Sequence, residues 1–280
     1  MATYIIGDIH GCYQTFQALL ERIDFSLGAD ELWFVGDLVN NGERSADVVR
    51  WIMAHERQCT VVLGNHDLHM LAVWSGAHKA RKKDTFWDIL DAPDADEMCQ
   101  WLCHRPMLHQ RDEHVMVHAG LHPTWSLAEA HELARQVEQH LRSEDLRAFF
   151  ETMYGNDPAH PNAIETASDR TRLTINVMTR MRVLYKQNHA LEFKFKSTLA
   201  ELPKDKTPWF RVTSARESTP HTTYFGHWSA LGIHQEGQAF GLDSGCTWGA
   251  QLSAYCLETQ TLTQVDAIDA PYQLHKGAPT

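Results

Sequence analysis

The chain has 280 residues, 43% of them hydrophobic, with 25 basic and 36 acidic side chains and a formal net charge of −11. That is enough apolar material for a sizeable core, and the negative field excludes a protein that grips duplex DNA through its general charge. No apolar run approaches the ~18 residues of a membrane span and the opening residues do not read as a leader, so the expected compartment is the cytoplasm. The six cysteines form no Cys-x-x-Cys pair and are expected as buried free thiols.

Taken in chain order, the predicted elements alternate between strand and helix, which predicts a layered α/β fold. Residues 4–6 form a short strand that stops at Gly7, followed by Asp8 and His10. In extended backbone these two side chains share one side and can grip one cation. Tyr13, Phe16, Leu20 and Ile23 then recur at helical spacing. Residues 31–35 read as a second strand ending in Gly36-Asp37, with a helix after it through Val48, Val49, Ile52 and Met53. Residues 59–63 read as a third, ending in Gly64-Asn65-His66-Asp67. A further ligand-bearing strand end is Val117-His118-Ala119-Gly120, and Ser126 with Glu129 forms a capping box that opens a helix toward Leu141. From Tyr224 onward the pattern changes to short strands, at 224–225 before Gly226-His227-Trp228, at 239–242 before Asp243-Ser244-Gly245, and at 251–257 and 262–265.

Two stretches break the alternation, residues 76–108 with Lys79, Arg81, Lys82 and Lys83, and residues 143–222 with Pro158, Pro161, Pro203, Pro208 and Pro220. Both are expected as cap insertions at the rim of one domain spanning residues 1–280. The basic run reads as a solvated helix face. Arg180 and Arg182, preceded by Arg170 and Arg172, are expected to bind phosphate. Asp243 reads as an Asx-type turn or a support for a ligand, His69 equally as a support for the site or as core, and Trp228 and Trp248 as core rather than base-stacking surfaces.

The ligand-bearing turns together suit a dinuclear hydrolase. Asp37 can bridge a site holding Asp8 and His10 and a second site holding Asn65, His118 and His227. The imidazole nitrogens of His118 and His227 suit manganese, iron, cobalt, nickel or zinc better than magnesium or calcium. Two such ions about 3.5–4 Å apart activate a shared water and clamp the oxygens of an in-line displacement at phosphorus. His66, beside a ligand, is then free to protonate the leaving oxygen.

The order Gly7-Asp8-Ile9-His10-Gly11, Gly36-Asp37, Gly64-Asn65-His66-Asp67, His118-Ala119-Gly120 and Gly226-His227 resembles the calcineurin-like metallophosphoesterases, which include the protein serine/threonine phosphatases. Ala92-Pro93-Asp94-Ala95-Asp96-Glu97, Thr179-Arg180-Met181-Arg182, Phe225-Gly226-His227-Trp228 and Leu242-Asp243-Ser244-Gly245-Cys246 extend the likeness to the symmetrical diadenosine tetraphosphatases of that family. The resemblance implies a four-layer α/β-β/α sandwich, manganese- or cobalt-like ions on Asp8, His10, Asp37, Asn65, His118 and His227, and His66 as catalytic acid. It implies hydrolysis of diadenosine tetraphosphate into two ADP, with RNA 5′ ends capped by a nucleoside tetraphosphate as an extension.

The second motif departs from the family. Asn41 stands where relatives commonly carry a phosphate-binding arginine, and Asn40 where protein phosphatases have an aspartate. Arg44, Arg180 or Arg182 is expected to compensate. A protein serine/threonine phosphatase and a catalytically weakened metal-binding scaffold are the alternatives.

Overall fold

The computed structural model describes residues 1–213 and 221–269. Thirteen strands are assigned among them: β1 (Thr3–Ile6), β2 (Glu31–Phe34), β3 (Cys59–Val61), β4 (Leu108–Arg111), β5 (His114–Val117), β6 (Val183–Tyr185), β7 (Leu191–Glu192), β8 (Lys206–Pro208), β9 (Thr222–Phe225), β10 (His234–Glu236), β11 (Ala239–Gly241), β12 (Gln251–Cys256) and β13 (Thr261–Asp266). The helices are α1 (Tyr13–Arg22), α2 (Ser45–Ala54), α3 (Asn65–Trp74), α4 (Trp87–Leu90), α5 (Ala95–Cys103), α6 (Leu127–Leu141), α7 (Leu146–Met153) and α8 (Ala167–Arg180), with short 3₁₀ turns between. The predicted strands reappear, with β2, β11 and β12 ending one residue early and β3 two, and so do the predicted helices outside residues 79–83. Ser126 caps α6 by accepting from the Glu129 N–H at 3.2 Å.

Two five-stranded sheets run in the orders β13-β12-β1-β2-β3 and β10-β11-β9-β5-β4. Their packing follows from alternation along each strand. Ile5, Trp33, Val35 and Val62 of the first sheet meet Met116, Tyr224, Phe240 and Leu242 of the second in one buried cluster. The intervening residues Ile6, Leu32, Phe34 and Val61 face the other way and pack with Phe16, Val49, Ile52 and Leu68 from α1, α2 and α3. On the far side Val115 and Val117 share that larger apolar cluster with Leu133 and Val137 of α6. Helices, sheet, sheet and helices give the four layers expected.

The stretch 76–108 contains α4 and α5, and 143–222 contains α7, α8 and a small sheet in the order β7-β6-β8. Pro220 and its neighbours 214–219 lie outside the described residues. All six cysteines are buried free thiols. No helix among the described residues is long and apolar enough to cross a membrane.

Candidate active site

In the first sheet β1, β2 and β3 are parallel, and in the second β5, β9 and β11 are parallel. Their carboxyl ends release the ligand-bearing turns to a common edge, the usual place for a site in such layers. Backbone bonds lace the turns together: the His10 N–H donates to the Asp37 carbonyl at 2.8 Å and the Gly226 N–H to the His118 carbonyl at 2.8 Å. Asp67 fastens two of them, accepting from the N–H groups of Asp37 (2.9 Å), Leu38 (3.0 Å) and Gly64 (2.9 Å). Glycine is required where these turns approach one another, since a Cβ on Gly64 would strike Asp37 Oδ1 and one on Gly226 would strike Asp8 Oδ1.

The expectation that Asp8 and His10 converge through extended backbone is corrected. His10 has φ +49°, as Asp37 has +50° and His227 +65°, so three candidate ligands sit in the left-handed region. L-residues adopt it at a cost, and such strain is concentrated at functional sites. A tight turn, not strand alternation, brings His10 back toward Asp8.

Asp37 stands between two clusters. Potential ligand atoms of His10, Asp37 and His66 lie within 4.8 Å of one another, and so do those of Asp37, His118 and His227. Asp37 Oδ2 is 3.6 Å from His10 Nε2 and 3.3 Å from His118 Nε2. Asp8 Oδ2 is 3.9 Å from His10 Nε2 and accepts from the His227 N–H at 3.0 Å. Asn65 Oδ1 is 3.3 Å from His118 Nε2. His118 Nδ1 is turned to the Val35 carbonyl at 2.8 Å and His10 Nδ1 to that of Val39 at 3.2 Å, which leaves each Nε2 for the centre. Asp8 Oδ1 and His227 Nε2 are buried with no hydrogen-bond partner. Such atoms are costly unless something else satisfies them. A pair of divalent cations fits this donor set.

The electrostatics point the same way. Burial pushes Asp37 upward, yet His118, His66 and His10 outweigh it and hold the carboxyl well below the usual carboxylate range. Burial, with Asp243 and Asp37 close by, pushes Asp8 well above that range. A cation beside Asp8 reverses that sign by favouring the carboxylate. Burial, reinforced by His10 and opposed by Asp37, pushes the His66 imidazole down to about 3.

These residues open onto a cavity of about 560 Å³. Of the expected phosphate-binding residues, Asn41, Arg180 and Arg182 line it. Arg180 donates to Asn176 Oδ1 at 2.7 Å and lies 4.6 Å over the Phe193 ring, and Arg182 donates to the His227 carbonyl at 3.0 Å with its Nε buried and unpartnered. Arg44 is not brought there. Its Nε donates to Asp47 at 2.6 Å and its guanidinium covers the Tyr13 ring at 4.5 Å, so the local i,i+3 pair at the start of α2 turns it away.

The basic run is solvated as expected, Lys79, Arg81, Lys82 and Lys83 all being exposed, but its helix is corrected. Residues 79–83 are not helical, and Arg81 and Lys83 line the cavity. Lys196, Tyr154 and Phe193 line it as well and carried no sequence signal. Asp243 makes the expected Asx turn, accepting from the Gly245 N–H at 3.0 Å. Trp228 is core, 2% exposed, whereas Trp248 is 49% exposed on the cavity rim.

Asp84 joins the insertion to the site. It faces His69 Nε2 at 2.7 Å, accepts from the Arg81 N–H at 2.6 Å and from the Asn40 amide at 3.2 Å. Burial acts upward on its carboxyl, but these hydrogen bonds dominate and bring it down to about 2. A depressed carboxylate contributes stability above its unfolded pKa that disappears as pH falls through the folded one. Asp84→Asn is therefore expected to cost on the order of 2 kcal/mol at neutral pH. The deficit should shrink as pH falls from about 4 toward 2, read by urea unfolding across that range.

A family model described as calcineurin-like phosphoesterase matches residues 1–169. A symmetrical bis(5′-nucleosyl)-tetraphosphatase of Methylobacillus flagellatus is 48% identical over 95% of each chain, and one of Chromobacterium violaceum is 44% identical over 94% of each. Among solved structures, one described as a candidate diadenosine tetraphosphatase superposes with a TM-score of 0.65 at 24% identity, covering 95% of this chain and 93% of that one. A protein serine/threonine phosphatase of Saccharomyces cerevisiae gives 0.55 at 14% identity, covering 97% and 81%. The two superpositions bear on the fold alone. With a family model over more than half its length and relatives of this identity along nearly all of it, the chain belongs to the calcineurin-like phosphoesterases.

Proposed function

We propose that this chain hydrolyses diadenosine tetraphosphate at its central anhydride, giving two ADP molecules, with two divalent transition-metal ions at the Asp37 centre. The observation that carries this reading is Asp37 shared by two histidine clusters and opening onto a cavity lined by Arg81, Lys83, Arg180, Arg182 and Lys196. Several negative charges on one short polyphosphate match a row of cations better than a single phosphoryl group on a protein does. The names of the two relatives agree with it. A protein serine/threonine phosphatase is the second reading, favoured by the shared fold and opposed by Asn40 and Asn41.

In this reading Asp8, His10 and Asp37 hold one ion, and Asp37, Asn65, His118 and His227 the other. When bound, such a pair lowers the pKa of a water and offsets charge on phosphoryl oxygens. Manganese or cobalt is the proposed occupant, with iron, nickel and zinc compatible with the same donors. Arg180 and Arg182 hold phosphate oxygens by charge-assisted bonds. His66 donates from its ring to the ADP oxygen that departs. The segments 76–108 and 143–222 act as caps of a single domain, and the compartment is the cytoplasm. RNA 5′ ends capped by a nucleoside tetraphosphate offer the same anhydride and are proposed on that chemistry alone.

The test is a comparison of kcat/KM for diadenosine tetraphosphate, diadenosine triphosphate, ATP and a phosphoserine peptide with the manganese-loaded protein. The tetraphosphate should lead, and a leading phosphopeptide would overturn the reading. Asn41 supplies a second check, because it lines the cavity without a charge. Asn41→Arg adds one charge-assisted contact of about 1.5–3 kcal/mol, so kcat/KM should rise by roughly one to two decades. No gain would mean that Arg180, Arg182 or another cation already fills the role.

A further inference from the structure

Lys196 sits between two anchored neighbours. The segment 193–198 follows β7, whose last residue, Glu192, is buried and turned toward it. One Glu192 carboxylate oxygen accepts the Lys194 N–H at 2.9 Å, and the other accepts the Phe195 N–H at 2.8 Å and faces Lys206 Nζ at 3.4 Å. Phe195 is buried with Val183 and Trp228, its ring edge-on to the indole at 6.0 Å. Ser197, on the other side, returns to the same indole, its carbonyl accepting from Trp228 Nε1 at 2.9 Å. Trp228 is core and directly follows the proposed ligand His227. The residues before and after Lys196 are thus both tied to one buried side chain beside the ion site. Backbone held in this way presents the base of the side chain at one place, so that only the stem remains to be ordered by a ligand.

The ammonium it presents is exposed on the cavity wall. The acid that shapes the segment, Glu192, is engaged by Lys206 and the backbone and does not neutralise it. Burial lowers the Lys196 pKa, and the side chains that add most to that effect are all cations, Arg182, Lys83, Arg180 and Arg81, drawn from both insertions. Like charges gathered without an acid between them repel one another, and a polyanion relieves the repulsion. Arg182 stands nearer the ions, since it donates to the His227 carbonyl at 3.0 Å and, while burial lowers its pKa, Asp243, Asp37 and Asp8 act upward on it. Lys196 faces chiefly the other cations and so lies further out. We propose that Lys196 is a specificity-determining residue that binds an oxygen of a phosphate beyond the attacked phosphorus, so that the site distinguishes a polyphosphate chain from a lone phosphoryl group. An ammonium suits this place, because a point charge on a flexible stem can follow a chain whose oxygens offer several equivalent positions.

This role rests on the reading of the site as a tetraphosphatase for the identity of the substrate, while the preference for a chain of phosphates does not. The first arm measures kinetics of the manganese-loaded full-length protein on diadenosine tetraphosphate and on p-nitrophenyl phosphate, which has no second phosphate. Lys196→Met, which keeps most of the stem, should raise KM for the tetraphosphate about tenfold with kcat within about twofold, the pattern of a contact made equally in ground and transition states. On p-nitrophenyl phosphate kcat/KM should stay within about twofold. Lys196→Arg, which keeps the charge, should recover most of the loss. Equal loss on both substrates would mean that the segment supports the ion site through Trp228, and would overturn the proposal, as would no loss on either or no recovery in Lys196→Arg. The second arm is calorimetric titration with inorganic triphosphate in manganese-saturated buffer, where Lys196→Met should bind about tenfold more weakly than the wild type. Weakened triphosphate binding without turnover of the dinucleotide by the wild type would remove the proposed function and keep the role of Lys196. Turnover with unchanged triphosphate binding would do the reverse.

Discussion

Asp37→Asn is expected to lower hydrolysis of diadenosine tetraphosphate by roughly a thousandfold or more, because the stabilisation offered by a metal pair is several kcal/mol and each 1.4 kcal/mol is a decade. Asp37 is the one side chain common to both histidine clusters. Its carboxylate faces His10 and His118 through the same Oδ2, while Oδ1 accepts the His66 N–H at 2.8 Å. An amide at this position keeps the shape and part of the hydrogen bonding but removes the charge that two cations share. Metal content should therefore fall from two ions per chain to one or none, measured by inductively coupled plasma mass spectrometry on dialysed protein. The fold should survive, because Asp67 ties the turns after β2 and β3 together through three backbone N–H groups, and the amide keeps an oxygen for the His66 N–H. Full metal content with full activity in the variant would contradict the shared-ligand account.

His66→Ala is expected to lower kcat by about 10²–10⁴, the range for loss of a positioned proton or hydrogen-bond donor, while leaving both ions bound. The separation of these two readouts matters. His66 lies close enough to His10 and Asp37 to be counted geometrically with them, and a ligand role would remove metal along with activity. Its Nδ1 is already engaged by Asn40, which leaves Nε2 to face the substrate. The same variant should spare a dinitrophenyl nucleotide ester, whose leaving oxygen departs without help. Loss of metal in His66→Ala, or equal loss on both substrates, would assign His66 to the centre itself.

Much of this site was legible because each proposed ligand follows the same local grammar of buried strand, turn and donor. Gly36-Asp37, Gly64-Asn65 and Gly226-His227 announce themselves by a glycine that the close approach of another turn requires. The alternation of strands with helices likewise foretold a layered α/β fold, in which Ile5 and Trp33 face one core while Ile6 and Phe34 face the other. What the sequence concealed is tertiary. No local rule places His10, Asp37 and His227 at positive φ, since β-type and left-handed backbone are both open to Asp and His until neighbouring turns close around them. The bracing of Asn40 by Asp84 joins residues 44 positions apart, through an insertion whose path has no periodicity to read. Arg81 and Lys83 were hidden in the same way, a charge run being equally compatible with solvent and with a cavity wall. Arg44 was the readable exception. Asp47, three residues on at the start of α2, is an ordinary helical partner for it.

The most direct test of the central claim is the identity of the products when manganese-loaded protein acts on diadenosine tetraphosphate, resolved by anion-exchange chromatography with a chelator control. The account predicts ADP as the sole nucleotide product and no reaction with chelator. ATP and AMP in equal amounts would mean attack at an outer phosphorus, and would contradict it.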